Sequence, residues 1–124
     1  MIPKFRAFDK FTKTMHEVVA IDFKDRSVYY ESYGLRNYWS KNVVLMQSTG
    51  LYDQNGVEMF EGDIVEIIYD SELFTGVVVY DLGEADFKAT NNREDYGNNF
   101  QYLTVGESIE VIGDIYQNLE LLEV

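Results

Sequence analysis

The stretch from Leu45 to Ile68 constrains the fold of this chain more than any other. It places Gly50, Asp53, Asn55, Gly56, Glu61, Gly62 and Asp63 close together, a density of turn chemistry found nowhere else in the sequence. Asn55-Gly56 predicts a β-hairpin, because a two-residue type I′ turn needs positive φ at both central residues. That backbone costs most side chains roughly 1–2 kcal/mol per residue, and Asn and Gly largely escape the penalty. Glu61-Gly62-Asp63 marks a second reversal. It opens directly into Ile64-Val65-Glu66-Ile67-Ile68-Tyr69, a run apolar on both faces that reads as a central strand covered on both sides.

The rest of the chain follows the same strand grammar. Lys4–Phe8 is a short strand, and the polar segment 9–14 turns it back. Met15–Phe23 alternates, with Met15, Val19, Ile21 and Phe23 on one face and the lone His16 on the other. Ser27–Tyr33 is a strand ended by Gly34. Residues 35–41 are irregular, with Tyr38 and Trp39 as packing residues and room for a short helical turn. Asn42–Met46 resumes as a strand. Beyond the central run come Leu73–Tyr80, where Gly76 suggests a bulge or bend, then Ala85–Thr90 and the loop-like Asn91–Asn99. Phe100–Val105 and Ser108–Tyr116 are the last strands, and Asn118–Leu122 is a terminal turn or short helix. One Pro, ten Tyr and eight Phe favour strands over helices.

Short strands, little helical periodicity and glycines at bends predict a mainly β fold. The order of Gly62-Asp63-Ile64-Val65, an acidic turn, Thr75-Gly76-Val77-Val78 and two further strands is similar to SH3-like barrels. Closure in such barrels protects strand edges. The expected organisation is an N-terminal hairpin and accessory sheet over residues 1–44, followed by a small SH3-like β-barrel over 45–124.

Charge divides the chain in the same place. The formal net charge is −12, yet residues 1–44 carry eight basic against five acidic side chains, whereas 45–124 carry only Lys88 and Arg93 against seventeen carboxylates. The first part is therefore basic and the second strongly acidic, and two such parts attract within a chain or between copies. With 46% hydrophobic residues the chain can build a core. It contains no Cys, so thiolate metal sites and cysteine nucleophiles are excluded. No apolar run reaches the roughly 20 residues of a membrane span, and the N-terminus lacks the apolar stretch of a secretory signal. The expectation is a cytoplasmic protein that does not engage membranes.

The motifs of common chemistries are missing. There is no phosphate-binding glycine loop and no nucleophile elbow. Asp53-Gln54-Asn55-Gly56-Val57-Glu58 has the oxygens of a calcium loop but not its glycine placement or flanking helices, so a hairpin is the better reading. His16, with no Cys or second His, reads as a surface residue. No residue is assigned to catalysis, cofactor binding or metal binding, and no cofactor is expected. Nucleic acid is disfavoured because residues 45–124 repel phosphates. The residues expected to form an interface are Lys4, Arg6, Tyr29, Tyr30, Tyr38 and Trp39, with Tyr33, Tyr96 and Tyr102 as further tyrosines suited to one.

Three blocks resemble the YopX family, proteins encoded mainly by phages and prophages of Gram-positive bacteria. They are Lys4-Phe5-Arg6-Ala7-Phe8-Asp9, the segment from Met46 through Asp53 to Val65, and Ile109-Glu110-Val111-Ile112-Gly113-Asp114-Ile115-Tyr116-Gln117-Asn118. The family usually has Pro where this chain has Leu119. The resemblance implies a β-rich fold and a phage setting in the host cell, and it supplies no catalytic residues. The leading reading is a non-enzymatic accessory protein acting through protein–protein contact, with itself or with a phage or host protein. The alternatives are an acidic mimic of DNA that occupies a nucleic-acid-binding protein, and a metal-dependent enzyme built on carboxylates such as Glu58, Glu61, Asp63 and Glu66.

Overall fold

The computed structural model describes residues 4–30, 36–38, 43–91, 100–104 and 108–122. Among them are the strands β1 (Phe5–Asp9), β2 (Thr14–Asp22), β3 (Ser27–Tyr30), β4 (Arg36–Tyr38), β5 (Val43–Tyr52) and β6 (Glu58–Phe60). They are followed by β7 (Asp63–Tyr69), β8 (Glu72–Asp81), β9 (Asp86–Thr90), β10 (Phe100–Tyr102), β11 (Ser108–Asp114) and a 3₁₀ turn at Leu119–Leu122. No α-helix occurs among the described residues. The mainly β expectation is met. The chain divides into two compact units, Met1–Ser48 and Thr49–Val124. The division falls inside β5, which continues from Val43 to Tyr52 across the 44/45 position expected from sequence.

In the N-terminal unit the strand order is β4-β3-β2-β1-β5. Ala7, Val28, Tyr30 and Val43 form its core, with Val18, Ile21 and Leu45 packed against them. The register of β2 against β3 slips between Val18 and Ala20. This β-bulge inserts one extra residue and reverses the alternation beyond it. Val18 and Ile21 consequently face the core, whereas Val19 is 58% exposed and Phe23 70% exposed. The expected apolar face of Met15, Val19, Ile21 and Phe23 is thus broken in the middle. His16 lies opposite Ala7 on the core side, not on the outer face.

In the C-terminal unit β10-β9-β8-β7-β11 form one antiparallel sheet, and β6 flanks the end of β5. β7 is covered on both faces, as its composition requires. Val65 and Ile67 join Met59, Val78, Ala89 and Leu103 on one side. Ile64 joins Val77 and Ile115 on the other, under Tyr116 and Leu122. The expected SH3-like barrel is not formed, because the sheet ends at β10 and β11 without closing. The outer edge of β11 meets a loop where closure would need a strand. Gln54 N–H donates to the Ile109 carbonyl at 3.0 Å, and Val111 N–H donates to Asp53 Oδ2 at 2.9 Å. Gly76 also corrects the sequence reading. The β7–β8 register passes through it without a shift. A Cβ there would lie 3.0 Å from backbone atoms of Thr90, so the glycine permits close approach of β9 and makes no bulge.

The turns follow geometry more than residue preference. Asn55-Gly56 is not a type I′ turn, since only Gly56 has positive φ, at 80°. Gly56 N–H donates to the Asp53 carbonyl and Asp53 N–H to the Val57 carbonyl, which closes a three-residue loop with its last residue left-handed. The two-residue turn with positive φ at both positions is instead Asp70-Ser71, at 53° and 65°. Three other hairpins share one design, a four-residue loop introduced by Asp9, Asp22 or Asp81 and ended by a left-handed Lys13, Arg26 or Ala85. At the chain's end Gly113 admits the side chain of Asn118, whose Oδ1 lies 2.6 Å from where a Cβ would stand.

Two substitutions test these local constraints. Ala85→Gly relieves a left-handed alanine and raises stability by about 1 kcal/mol, read as a higher urea midpoint at unchanged slope. Gly113→Ala forces Asn118 away and lowers stability by about 1–3 kcal/mol on the same measurement.

Candidate interaction surface

The aspartates of this acidic chain are largely occupied with its backbone. Asp9 Oδ1 accepts from Phe11 and Thr12 N–H, and Asp22 Oδ1 from Lys24 and Asp25 N–H. Asp63 Oδ2 accepts from Phe60 N–H at 2.8 Å, beside Gly62 with its φ of 87°. Asp114 Oδ1 accepts from Tyr116 and Gln117 N–H, while its Oδ2 accepts from Gln117 Nε2. Asp53 does the most. Its Oδ1 accepts from Asn55 and Val57 N–H at 2.8 Å each, and its Oδ2 accepts from Val111. Burial pushes the Asp53 carboxyl up, but the three N–H groups outweigh it and hold the group below the ordinary carboxylate range. Earlier in β5, Thr49 Oγ1 donates to the Met59 carbonyl and accepts from Leu51 N–H, which bridges the kink at Gly50 (φ 76°).

Lys88 is engaged internally. Its Nζ donates to Asp81 Oδ2 at 2.7 Å and pairs with Glu84, and it lies 4.0 Å from the centre of the Phe100 ring. Its hydrogen bonds to these two carboxylates raise the ammonium pKa, and the ammonium lowers theirs in return. Tyr102, which donates to Glu84, completes the enclosure. Such a lysine has neither the depressed pKa nor the access a nucleophile requires.

His16 stacks on Tyr30, with ring centroids 4.1 Å apart and planes 5° from parallel, and its Nε2 shares a 2.6 Å hydrogen bond with Thr14 Oγ1. Tyr30 is buried, and burial together with the nearby Asp9 pushes its phenol up to about 12. Its expected place at an interface is therefore corrected: Tyr30 is a core residue. Among the described residues, no group of three or more His, Asp or Glu is placed to hold a metal ion.

What the N-terminal unit does offer is a cleft of about 470 Å³ beside the β2 bulge. It is lined by Phe5 and Gln47, paired across β1 and β5, and by the run Val18, Val19, Ala20 and Ile21 of β2. Lys4 and Phe23 complete its lining. The bulge makes this site by turning Val19 outward, and the register of β1 on β2 makes it by stopping at Arg6 and Glu17.

The interface residues expected from sequence are only partly brought together. Lys4 is exposed at the cleft. Arg6 is half-buried, with Nη2 3.8 Å from Met46 Sδ. Tyr29 is half-buried on β3, and Tyr102 is half-buried against Glu84. Tyr38 belongs to β4, but its side chain, like Trp39, Tyr33 and Tyr96, lies outside the described residues. Val19 and Phe23 were missed, because strict alternation assigns them inward and the bulge has no mark in the sequence.

Residues 4–123 match the family described as YopX protein. The fold is similar to the crystal structure of protein EF1440 from Enterococcus faecalis, at 30% identity and a TM-score of 0.67, covering 99% of each chain. It is also similar to protein yopX from Bacillus subtilis, at 25% identity and a TM-score of 0.63, covering 97% of this chain and 98% of that one. No curated protein sequence matches the chain.

The Asp53 network gives a pH signature. Asp53→Asn keeps an acceptor for the loop but turns a donor toward Val111, and costs about 1–3 kcal/mol at neutral pH. Because the folded pKa lies below the unfolded one, the carboxylate's contribution is complete above about pH 4 and fades as pH falls through the folded value. The gap in urea midpoint between wild type and Asp53→Asn should therefore narrow on acidification from about pH 7 to about pH 3.

Proposed function

The chain belongs to the YopX family, and we propose that it works by docking on another protein through the cleft of its N-terminal unit, as a non-enzymatic accessory protein. The observation that carries this reading is Phe23, which is 70% exposed and lines a largely apolar cleft together with Val19, itself 58% exposed. Large apolar side chains around a concavity are what a protein partner covers, and aromatic residues are enriched at such contacts. Phe11, 84% exposed in the β1–β2 turn, extends the apolar character of the same unit.

The remaining chemistry supports docking over catalysis. Asp53, Asp63 and Asp114 are buried in turn networks, Asp81 and Glu84 hold Lys88, and His16 is stacked on Tyr30. The same burial weakens the DNA-mimic alternative, since several of the carboxylates behind the acidic charge do not reach the surface. The phage setting implied by the family would place the contact inside a host cell. No helix among the described residues is long and apolar enough to cross a membrane.

A photo-crosslinking amino acid at position 23, with position 82 as control, tests the reading in expressing cells. Leu82 is 85% exposed on the other unit. Protein adducts are expected at 23 and not at 82. Absence of adducts at 23, or equal labelling at both, removes the cleft as the docking site.

A further inference from the structure

We infer that the cleft receives a second copy of this chain, by way of the tip of its β7–β8 hairpin, in a head-to-tail contact. This rests on the docking reading above and adds the occupant. Ile68 and Leu73 stand directly opposite each other at that tip, 41% and 62% exposed. Two positions back along β7, Glu66 faces Glu110 of β11, and the turn and the start of β8 add the exposed Asp70 and Glu72. The tip is thus an apolar pair with an acidic rim. The cleft is its counterpart, with apolar Val19 and Phe23 and the cation Lys4 in its lining, while the β2–β3 turn that follows Phe23 carries the exposed Lys24 and Arg26 with Asp25 between them.

Two further features fit this occupant. Like charges facing each other across strands are unfavourable, so the Glu66–Glu110 rung gains from a cationic partner. Strand edges also match. Among the described pairs, β2 beyond Glu17 is bonded only to β3, and β8 before Val77 only to β7. Among the described residues each leaves a run of backbone groups without a ladder partner on its other side, of the kind that adds a strand from another chain. Because cleft and tip are different surfaces, the contact is heterologous and propagates into a ring or an open chain of copies.

Sedimentation of the full chain at low and high salt, with two charge-reversed variants, tests this. The wild type should self-associate at low salt and weaken as salt screens the rims. A cleft variant carrying Lys24→Glu and Arg26→Glu, and a tip variant carrying Glu66→Lys and Glu110→Lys, should each associate at least about tenfold more weakly. Mixed together they should form a 1:1 pair, because the first keeps its tip and the second its cleft. Leu73→Asp, at an exposed site, should reproduce the tip defect, with far-UV circular dichroism reporting unchanged folding. A wild type monomeric at about 1 mM, a Kd near that of millimolar-weak binding, overturns the inference. So does wild-type-like association of the variants, or failure of the mixture to pair. If the chain stays monomeric while position 23 crosslinks to a different protein, the occupant is wrong and the docking reading stands. If position 23 crosslinks to nothing, both fall.

Discussion

A hairpin has to satisfy the backbone N–H groups of its own turn, and most of the described hairpins here do so with aspartate. A donor left unmet in a half-buried turn costs free energy comparable to a lost hydrogen bond. Asp9, Asp22, Asp53, Asp63, Asp81 and Asp114 each accept from at least one backbone N–H at or next to a reversal. Asp53 reaches furthest, because it also holds β11, fifty-eight positions away in sequence. Part of the chain's acidity is therefore architectural, a consequence of building many tight turns with a short side chain that can accept two bonds at once.

That dependence explains what the sequence could disclose. The strands announce themselves through period-two patterning and aromatic content, and most of their positions were legible. β7 was legible as a strand covered on both faces, since Ile64, Val65 and Ile67 leave it no polar side there. The left-handed turn positions were not. Asn55-Gly56 has the stronger preference, yet Asp70-Ser71 makes the two-residue turn because the register of β7 on β8 leaves only two residues between Tyr69 and Glu72. Closure was not legible either. The run of strands resembles a barrel, but whether the last edge meets a strand or a loop depends on a contact between Val111 and Asp53 that no local pattern encodes.

The docking surface was hidden for a related reason. A single extra residue in β2 moves Val19 out and His16 in, and from sequence the segment reads as regular. The charge division was visible throughout, but its meaning changes with the structure. Lys88 is neutralised inside the C-terminal unit by Asp81 and Glu84, so it contributes little positive field at that surface. The contrast in charge between the two units is sharper than a count of residues suggests.

The contact between Gly113 and Asn118 has a consequence for how such chains diverge. With the amide packed where a Cβ would project, and with Asn118 Oδ1 accepting from Asp114 N–H, neither position can drift alone. A relative that acquires a side chain at the first must shorten or redirect the second, and one that loses the amide leaves a backbone donor to water. The contact thus ties the two positions together, and the geometry of the turn that follows Gly113 depends on both.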